Sequence, residues 1–187
     1  MSTQLHTRLT PEEYLRLERQ APFKSEYLAG DVFALAGANR RHNQIAANII
    51  RVLGNQLVDR PCSVYPSDMR VKMPAISKYT YPDILVVCGE ELFEDAENDT
   101  LLNPTVIIEV LSQSTEAYDR GAKFEHYQSI ESLVEYVLVS QQPFRVEQFV
   151  RKGQRAWSYY DFRESTDTVQ LSSVACQLAL KEIYHKV

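Results

Sequence analysis

Residues 105–111 read Thr-Val-Ile-Ile-Glu-Val-Leu, a run of large aliphatic side chains interrupted once, at Glu109. Such a run predicts a strand buried on both faces, because a half-exposed strand would alternate apolar with polar residues. An unpaired carboxylate taken out of water costs several kcal/mol, or is driven to take up a proton. A divalent cation would offset that penalty, since hard cations take carboxylate oxygens. A half-exposed strand face or a basic partner would also accommodate it.

Upstream lies Pro82-Asp83, followed by a second apolar run, Ile84-Leu85-Val86-Val87-Cys88. If the two runs pair antiparallel, the start of the first lies beside the end of the second, and Asp83 and Glu109 converge at one edge of the sheet. The acidic stretch from Gly89 to Asn103 reads as a surface excursion long enough to allow that pairing. Two converging carboxylates are the minimum for a magnesium site that leaves positions for water and phosphate oxygens. Asp83 reads equally as a turn residue capping a local N–H.

Downstream, Ser112 to Glu116 reads as a turn and cap, with a helix following to about Ile130. Asp119, Lys123 and Tyr127 fall at i, i+4 and i+8 and share one face of it. Lys123 can reach the carboxylates, with Asp119 orienting its ammonium to stabilise charge on a reacting phosphate. Without the carboxylates nearby, the same spacing describes an ordinary surface pair.

The remaining chain fills out a mixed α/β (α+β) domain. Thr10-Pro11-Glu12-Glu13 is a helix start, with Thr10 capping and Glu13 completing a capping box. Lys24 to Ala29 and Val32 to Leu35 predict two short strands, and Ile45, Ile49, Val52, Leu53 and Leu57 recur at helical spacing from His42 to about Val58. Further strands are expected at Cys62 to Tyr65, Met69 to Met73, Leu133 to Val139, Arg145 to Val150 and Ala156 to Phe162. Trp157-Ser158-Tyr159-Tyr160 suits either core or a dimer face. Val169 to Tyr184 predicts a strand and an unassigned tail. Residues 1–187 read as one domain, with residues 1–22 as a helical N-terminal extension.

The chain has 187 residues, of which 44% are hydrophobic, enough for one well-buried core. A net charge of -5 argues against non-specific coating of nucleic acid, though a local basic groove remains open to an acidic protein. Cys62, Cys88 and Cys176 form no C-x-x-C pair, so no disulfide is expected and a reducing, cytoplasmic setting fits. The opening Met-Ser-Thr-Gln-Leu-His has no apolar signal core, and no stretch is long enough to span a bilayer.

A set of residues in fixed order resembles the "Uma two" family, described as putative restriction endonucleases, within the PD-(D/E)xK nucleases. Its markers are Glu26 with Gly30, His42, Ser67-Asp68-Met69-Arg70-Val71, Pro82-Asp83, Glu109-Val110-Leu111-Ser112, Thr115, Asp119, Lys123, Tyr127 and Glu135-Tyr136. The similarity runs from about Glu26 to Tyr184. It implies a restriction-endonuclease-like core, with a central mixed β-sheet flanked by helices. It further implies a Mg2+-dependent phosphodiesterase site (Mn2+ as substitute) with Asp83 and Glu109 as ligands. One departure stands out: the lysine expected two residues after the glutamate is Leu111, which points to Lys123 as its migrated counterpart. Glu26 could add an acidic ligand and His42 could position phosphate, although a histidine at a helix start is also a common cap. Asp68 suits either the site or capping.

The expected function is therefore metal-dependent hydrolysis of DNA by a homodimer, since each strand of a duplex needs its own site. The alternative is a non-catalytic nucleic-acid-binding or assembly module retaining the nuclease fold, which Leu111 and the acidic charge favour. Hydrolysis of another phosphorylated substrate is a third possibility. No G-x-S-x-G elbow, P-loop or zinc spacing points to a different enzyme class.

Overall fold

The computed structural model describes residues 8–113, 115–154 and 156–187. Ser114 of the expected turn and residues 1–7 of the expected extension lie outside them. In chain order, α1 (Pro11–Glu18) is followed by β1 (Ser25–Leu28), β2 (Asp31–Ala34) and α2 (Arg40–Leu57). Then come β3 (Cys62–Pro66), β4 (Arg70–Met73), β5 (Lys78–Thr80), β6 (Ile84–Cys88), β7 (Thr100–Leu101) and β8 (Val106–Leu111). Two short helices, α3 (Glu116–Tyr118) and α4 (Phe124–Tyr127), lead to β9 (Glu135–Ser140), β10 (Arg145–Arg151) and β11 (Trp157–Phe162). The chain closes with β12 (Thr168–Leu171), β13 (Cys176–Ala179) and α5 (Leu180–Ile183).

The run at 106–111 lies inside a six-stranded mixed sheet of order β11-β10-β9-β8-β6-β3. β8 pairs antiparallel with β6 and parallel with β9, and the helical segment between β8 and β9 makes the crossover that a parallel pair requires. Strand alternation sorts the residues. Ile84, Val86, Val106, Ile108 and Val110 pack against Ile45, Ile49, Val52, Leu53 and Leu57 of α2. Leu85, Val87, Ile107 and Leu111 face the other way, toward Tyr127, Val71 and Met73. Ile45, Ile49 and Leu53 are wholly buried, each worth about 1.5–3 kcal/mol relative to exposure. Glu109 belongs by period to the second face, opposite α2.

A second sheet, order β2-β1-β5-β4-β7, stands beside the first. Its β1–β2 hairpin turns on Ala29 and Gly30, both at positive φ, the combination of a type I′ turn. A side chain at Gly30 would meet Cβ of Arg8 at 2.7 Å. α1 carries the expected capping box, with Thr10 accepting from Glu13 N–H and Glu13 from Thr10 N–H, and seats Tyr14 against Tyr27 and Tyr79.

Several expectations are corrected. Cys62 and Cys88, direct partners across the β3–β6 pair, are joined by a disulfide. They lie 26 residues apart in sequence, and only the strand register brings them together. The expectation of a disulfide-free chain, and the reducing setting drawn from it, loses that support. The helix expected from the 112–116 turn to Ile130 is present from Glu116 to Tyr127 but is not α-helical throughout: Asp119–Lys123 forms a π-helical turn between α3 and α4. The C-terminal tail is a β12–β13 hairpin capped by α5 and packed on α2. Trp157 is half-buried and packs against Phe124 beside the core, whereas Tyr159 and Tyr160 are exposed. Among the described residues no helix is long and apolar enough to cross a membrane.

The stretch from Gly89 to Asn103 is only partly a surface excursion. Its β7 residues pair parallel with β4 and are buried. Asp99 ties this stretch down, accepting from Arg19 at 2.8 Å and from Thr100 Oγ1 at 2.9 Å and pairing with buried Arg70 at 2.8 Å. The hydrogen bond from Arg19, reinforced by the charge of Arg70, holds the Asp99 carboxyl well below the usual carboxylate range. A depressed folded-state pKa stabilises above the unfolded value of about 3.9 and loses that contribution as pH falls toward the folded one. Asp99→Asn should therefore lower stability at neutral pH, with the gap to wild type closing below about pH 4. Denaturation across a pH series measures this, and a gap that persists undiminished into acid contradicts it.

Candidate active site

The register that pairs Ile84 with Ile108 places Asp83 opposite Glu109. Asp83 N–H lies 3.4 Å from Glu109 Oε2, and Val110 N–H donates to Asp83 Oδ2 at 2.8 Å. The antiparallel geometry expected from the two apolar runs is thus present, and both carboxylates stand at one sheet edge. Glu109 is 3% exposed.

Glu109 is not an isolated charge, however. Its Oε1 accepts from Lys123 Nζ at 2.8 Å and from Tyr127 Oη at 2.8 Å. Lys123 also lies 3.3 Å from Asp119. The basic partner accounts for the burial of Glu109 without a metal, so burial alone no longer demands one. Burial pushes the Glu109 carboxyl up from its ordinary value, and the neighbouring charges of Asp83 and Asp119 add to this against the pull of Lys123. For Lys123, burial acts downward, but the charges of Glu109, Asp119 and Glu26 overrule it and hold the amine above its ordinary value. We take the ammonium as the firm member of the pair, because several carboxylates favour it at once. Tyr127 is likewise pushed up by its burial and by Glu109, so its phenol stays a donor.

The π-turn explains how Asp119, Lys123 and Tyr127 still meet. A single wide turn within a helical path shifts the face by a fraction of a turn and leaves i, i+4 neighbours adjacent; such turns recur at functional sites. His42, on the first turn of α2, shares a 3.0 Å hydrogen bond between Nε2 and Asp83 Oδ2. The cap of α2 is Asn39, which accepts from His42 N–H. Glu26, on β1, accepts from Thr80 Oγ1 and lies 3.8 Å from Lys78 Nζ.

These groups surround a cleft of about 1030 Å³, lined by Glu26, His42, Asp83, Glu109, Asp119 and Lys123 among others. Asp68 does not join them. It pairs with Lys24 at 2.9 Å and its side chain is 86% exposed, because the turn before β4 points it outward. Lys78 and Tyr118 went unread in the sequence: the first lies on a strand of three residues, and the second precedes Asp119 with no periodic signal of its own.

The cleft's charge decides what it can accept. Among the described residues four carboxylates line it (Glu26, Asp83, Glu109 and Asp119) against two ammonium groups, Lys24 and Lys123. Among the described residues no three His, Cys, Asp or Glu side chains are grouped to hold a metal ion by themselves. The pair Asp83 and Glu109 nevertheless suits magnesium, which binds through one or two carboxylates and leaves its other positions to water and phosphate.

A family model described as "Putative restriction endonuclease", Uma2, matches residues 11–181. Two Synechocystis proteins, both described as uncharacterized, are similar to the chain. It is 39% identical to sll1609 over 149 residues, 80% of this chain and 84% of that protein. It is 31% identical to slr1290 over 177 residues, 95% and 92% respectively. The crystal structure of "a putative nuclease" from Anabaena variabilis matches with a TM-score of 0.77 at 20% identity, over 94% of this chain and 97% of that one. At that identity the match speaks for the fold.

Proposed function

This chain belongs to the Uma2 family and has a nuclease-like fold, and from that premise we propose that it hydrolyses DNA phosphodiester bonds with a divalent metal ion held by Asp83 and Glu109. The observation that carries the reading is the cleft itself: paired carboxylates, in excess over ammonium groups, at a sheet edge opening to about 1030 Å³. An anionic substrate is repelled by such a site unless a cation comes between. What magnesium contributes when bound is that positive charge, together with polarisation of the phosphoryl oxygen.

The chain's own groups divide the remaining work. Lys123 provides the ammonium that stabilises charge developing at phosphorus, in the role that the lysine missing at Leu111 would otherwise fill. Asp119 and Glu109 hold it protonated and oriented. Tyr127 fixes one oxygen of Glu109, and His42 with Val110 N–H fixes Asp83, so both carboxylates are preset rather than freely rotating. Glu26 adds negative charge on the cleft wall. The presence of Lys123 beside Glu109 supports this reading over a module that has lost its chemistry. We include in the proposal a single domain and a two-fold dimer for cutting both strands.

Titration with MgCl2 or MnCl2 against supercoiled DNA, linear duplex, single strands and RNA tests the proposal. Nicking of DNA should appear with metal and vanish with chelator. Metal binding measured by calorimetry, with cleavage absent from every substrate, would overturn it.

A further inference from the structure

Lys78, on β5, is 1% exposed. A lysine in that position is costly, because its ammonium leaves bulk water and its long side chain loses rotamer freedom. Strand formation alone does not call for it, since β5 could be completed by any strand-forming residue. Three elements nevertheless converge on the nitrogen. Nζ donates to Tyr118 Oη, lies 3.2 Å from His126 Nδ1, and stands 3.8 Å from the Glu26 carboxylate. It also lies 5.0 Å from the centre of the Tyr118 ring.

The placement of two of those partners gives the contact its meaning. Tyr118 immediately precedes the π-turn Asp119–Lys123, and His126 follows it by three residues. Lys78 thus holds both ends of the turn from a strand of the other sheet. A π-turn is a poorly propagating piece of helix, here centred on Gly121, the residue other than proline that favours helix least. Left to itself it has little to fix its width. The acceptor roles are consistent: burial and the nearby ammonium lower the basicity of His126, leaving Nδ1 free to accept.

We infer that Lys78 is a positioning residue, clamping the π-turn against the five-stranded sheet and so setting the contact of Lys123 with Glu109. Its effect on turnover rests on the nuclease reading; its effect on the turn does not. Displacement of a reacting group by about 1 Å can cost on the order of a hundredfold in rate.

The test is Lys78→Met, which keeps length and removes the charge and donors. Hydrogen–deuterium exchange should show residues 116–127 losing about tenfold or more in protection, with β8 and β9 unchanged. Turnover should fall about 10–100-fold with KM within about threefold. Adding Lys78→Met to Lys123→Met should cost nothing further, since a clamp on an absent ammonium is idle. Should Lys78→Met fail to fold, Tyr118→Phe, which removes only the accepting hydroxyl, must loosen the same segment to a smaller degree. Unchanged exchange over 116–127, or fully additive loss in the double variant, overturns the inference. A wild type that cleaves nothing refutes the nuclease reading instead, and the exchange result still decides the clamp.

Discussion

Glu109→Gln is expected to abolish metal-dependent cleavage, lowering kcat/KM roughly a thousandfold or more, the scale on which removal of one member of a catalytic unit acts. Glutamine keeps the shape and still offers Tyr127 an acceptor, so the change isolates the charge. One of two carboxylates that would hold the cation is lost. Calorimetry should show metal affinity reduced at least about 10–100-fold, since even groups that only orient metal ligands cost that much. Stability should change only modestly, because Lys123 keeps Asp119 as a nearby counter-charge at 3.3 Å and the substitution also removes a carboxylate whose charged form burial disfavours. Breaking a buried pair costs about 3–5 kcal/mol, and the remaining carboxylate keeps the loss below that range. Asp83→Asn provides the contrast. Asp83 is less buried; its carboxylate meets His42 and Val110 N–H, and its own N–H faces Glu109. Its neutralisation should remove cleavage and metal binding equally while leaving stability level or slightly raised, one like charge having been removed. Cleavage within a few-fold of wild type in either variant, or metal affinity unchanged in both, contradicts the assignment.

Much of this arrangement could be read from single residues. Glu109 drew attention because nothing in Val-Ile-Ile-Glu-Val-Leu explains it, and the Asp83–Glu109 adjacency followed from treating two apolar runs as an antiparallel pair. The long helix α2 was legible because its apolar period extends over several turns. What stayed hidden was short or non-local. β7 has two residues and β5 three, too few for any period to register, so Lys78 and the buried end of the acidic stretch passed unseen. The Cys62–Cys88 bridge and the β12–β13 hairpin depend on register between distant or brief segments. The π-turn was invisible for a different reason: i, i+4 spacing is shared by α and π geometry, so the sequence predicted the right neighbours on the wrong helix.

The burial of Glu109 requires a counter-charge without specifying its chemistry. Its position implied a counter-charge correctly, but could not say whether that charge was an ion or an amine. The structure supplies Lys123. What favours a metal is therefore the excess of carboxylates over ammonium groups in the cleft rather than the burial of one carboxylate. That is a stronger footing, because it concerns what an anionic substrate would meet.

The same point makes Lys123→Met the most discriminating variant of the site. Removing the ammonium should reduce turnover about 10²–10³-fold, the range for losing a preorganised group that stabilises transition-state charge. Metal affinity should hold or rise, because Glu109 loses its competing partner and the local field becomes more negative. Stability without metal should drop by at most about 3–5 kcal/mol, since the nearly buried carboxyl groups of Glu109 and Asp119 both lose their amine, and uptake of a proton by Glu109 recovers part of the loss. Magnesium would then offset part of that loss by binding the folded state alone. The shift in Tm on adding MgCl2 should accordingly be larger in Lys123→Met than in wild type, a difference that scanning calorimetry reads without any cleavage assay. If the variant cuts as well as wild type, Lys123 has no part in the chemistry. If instead magnesium stabilises it no more than wild type, the carboxylates it exposes are not a cation site, and the acidic cleft must serve some other end.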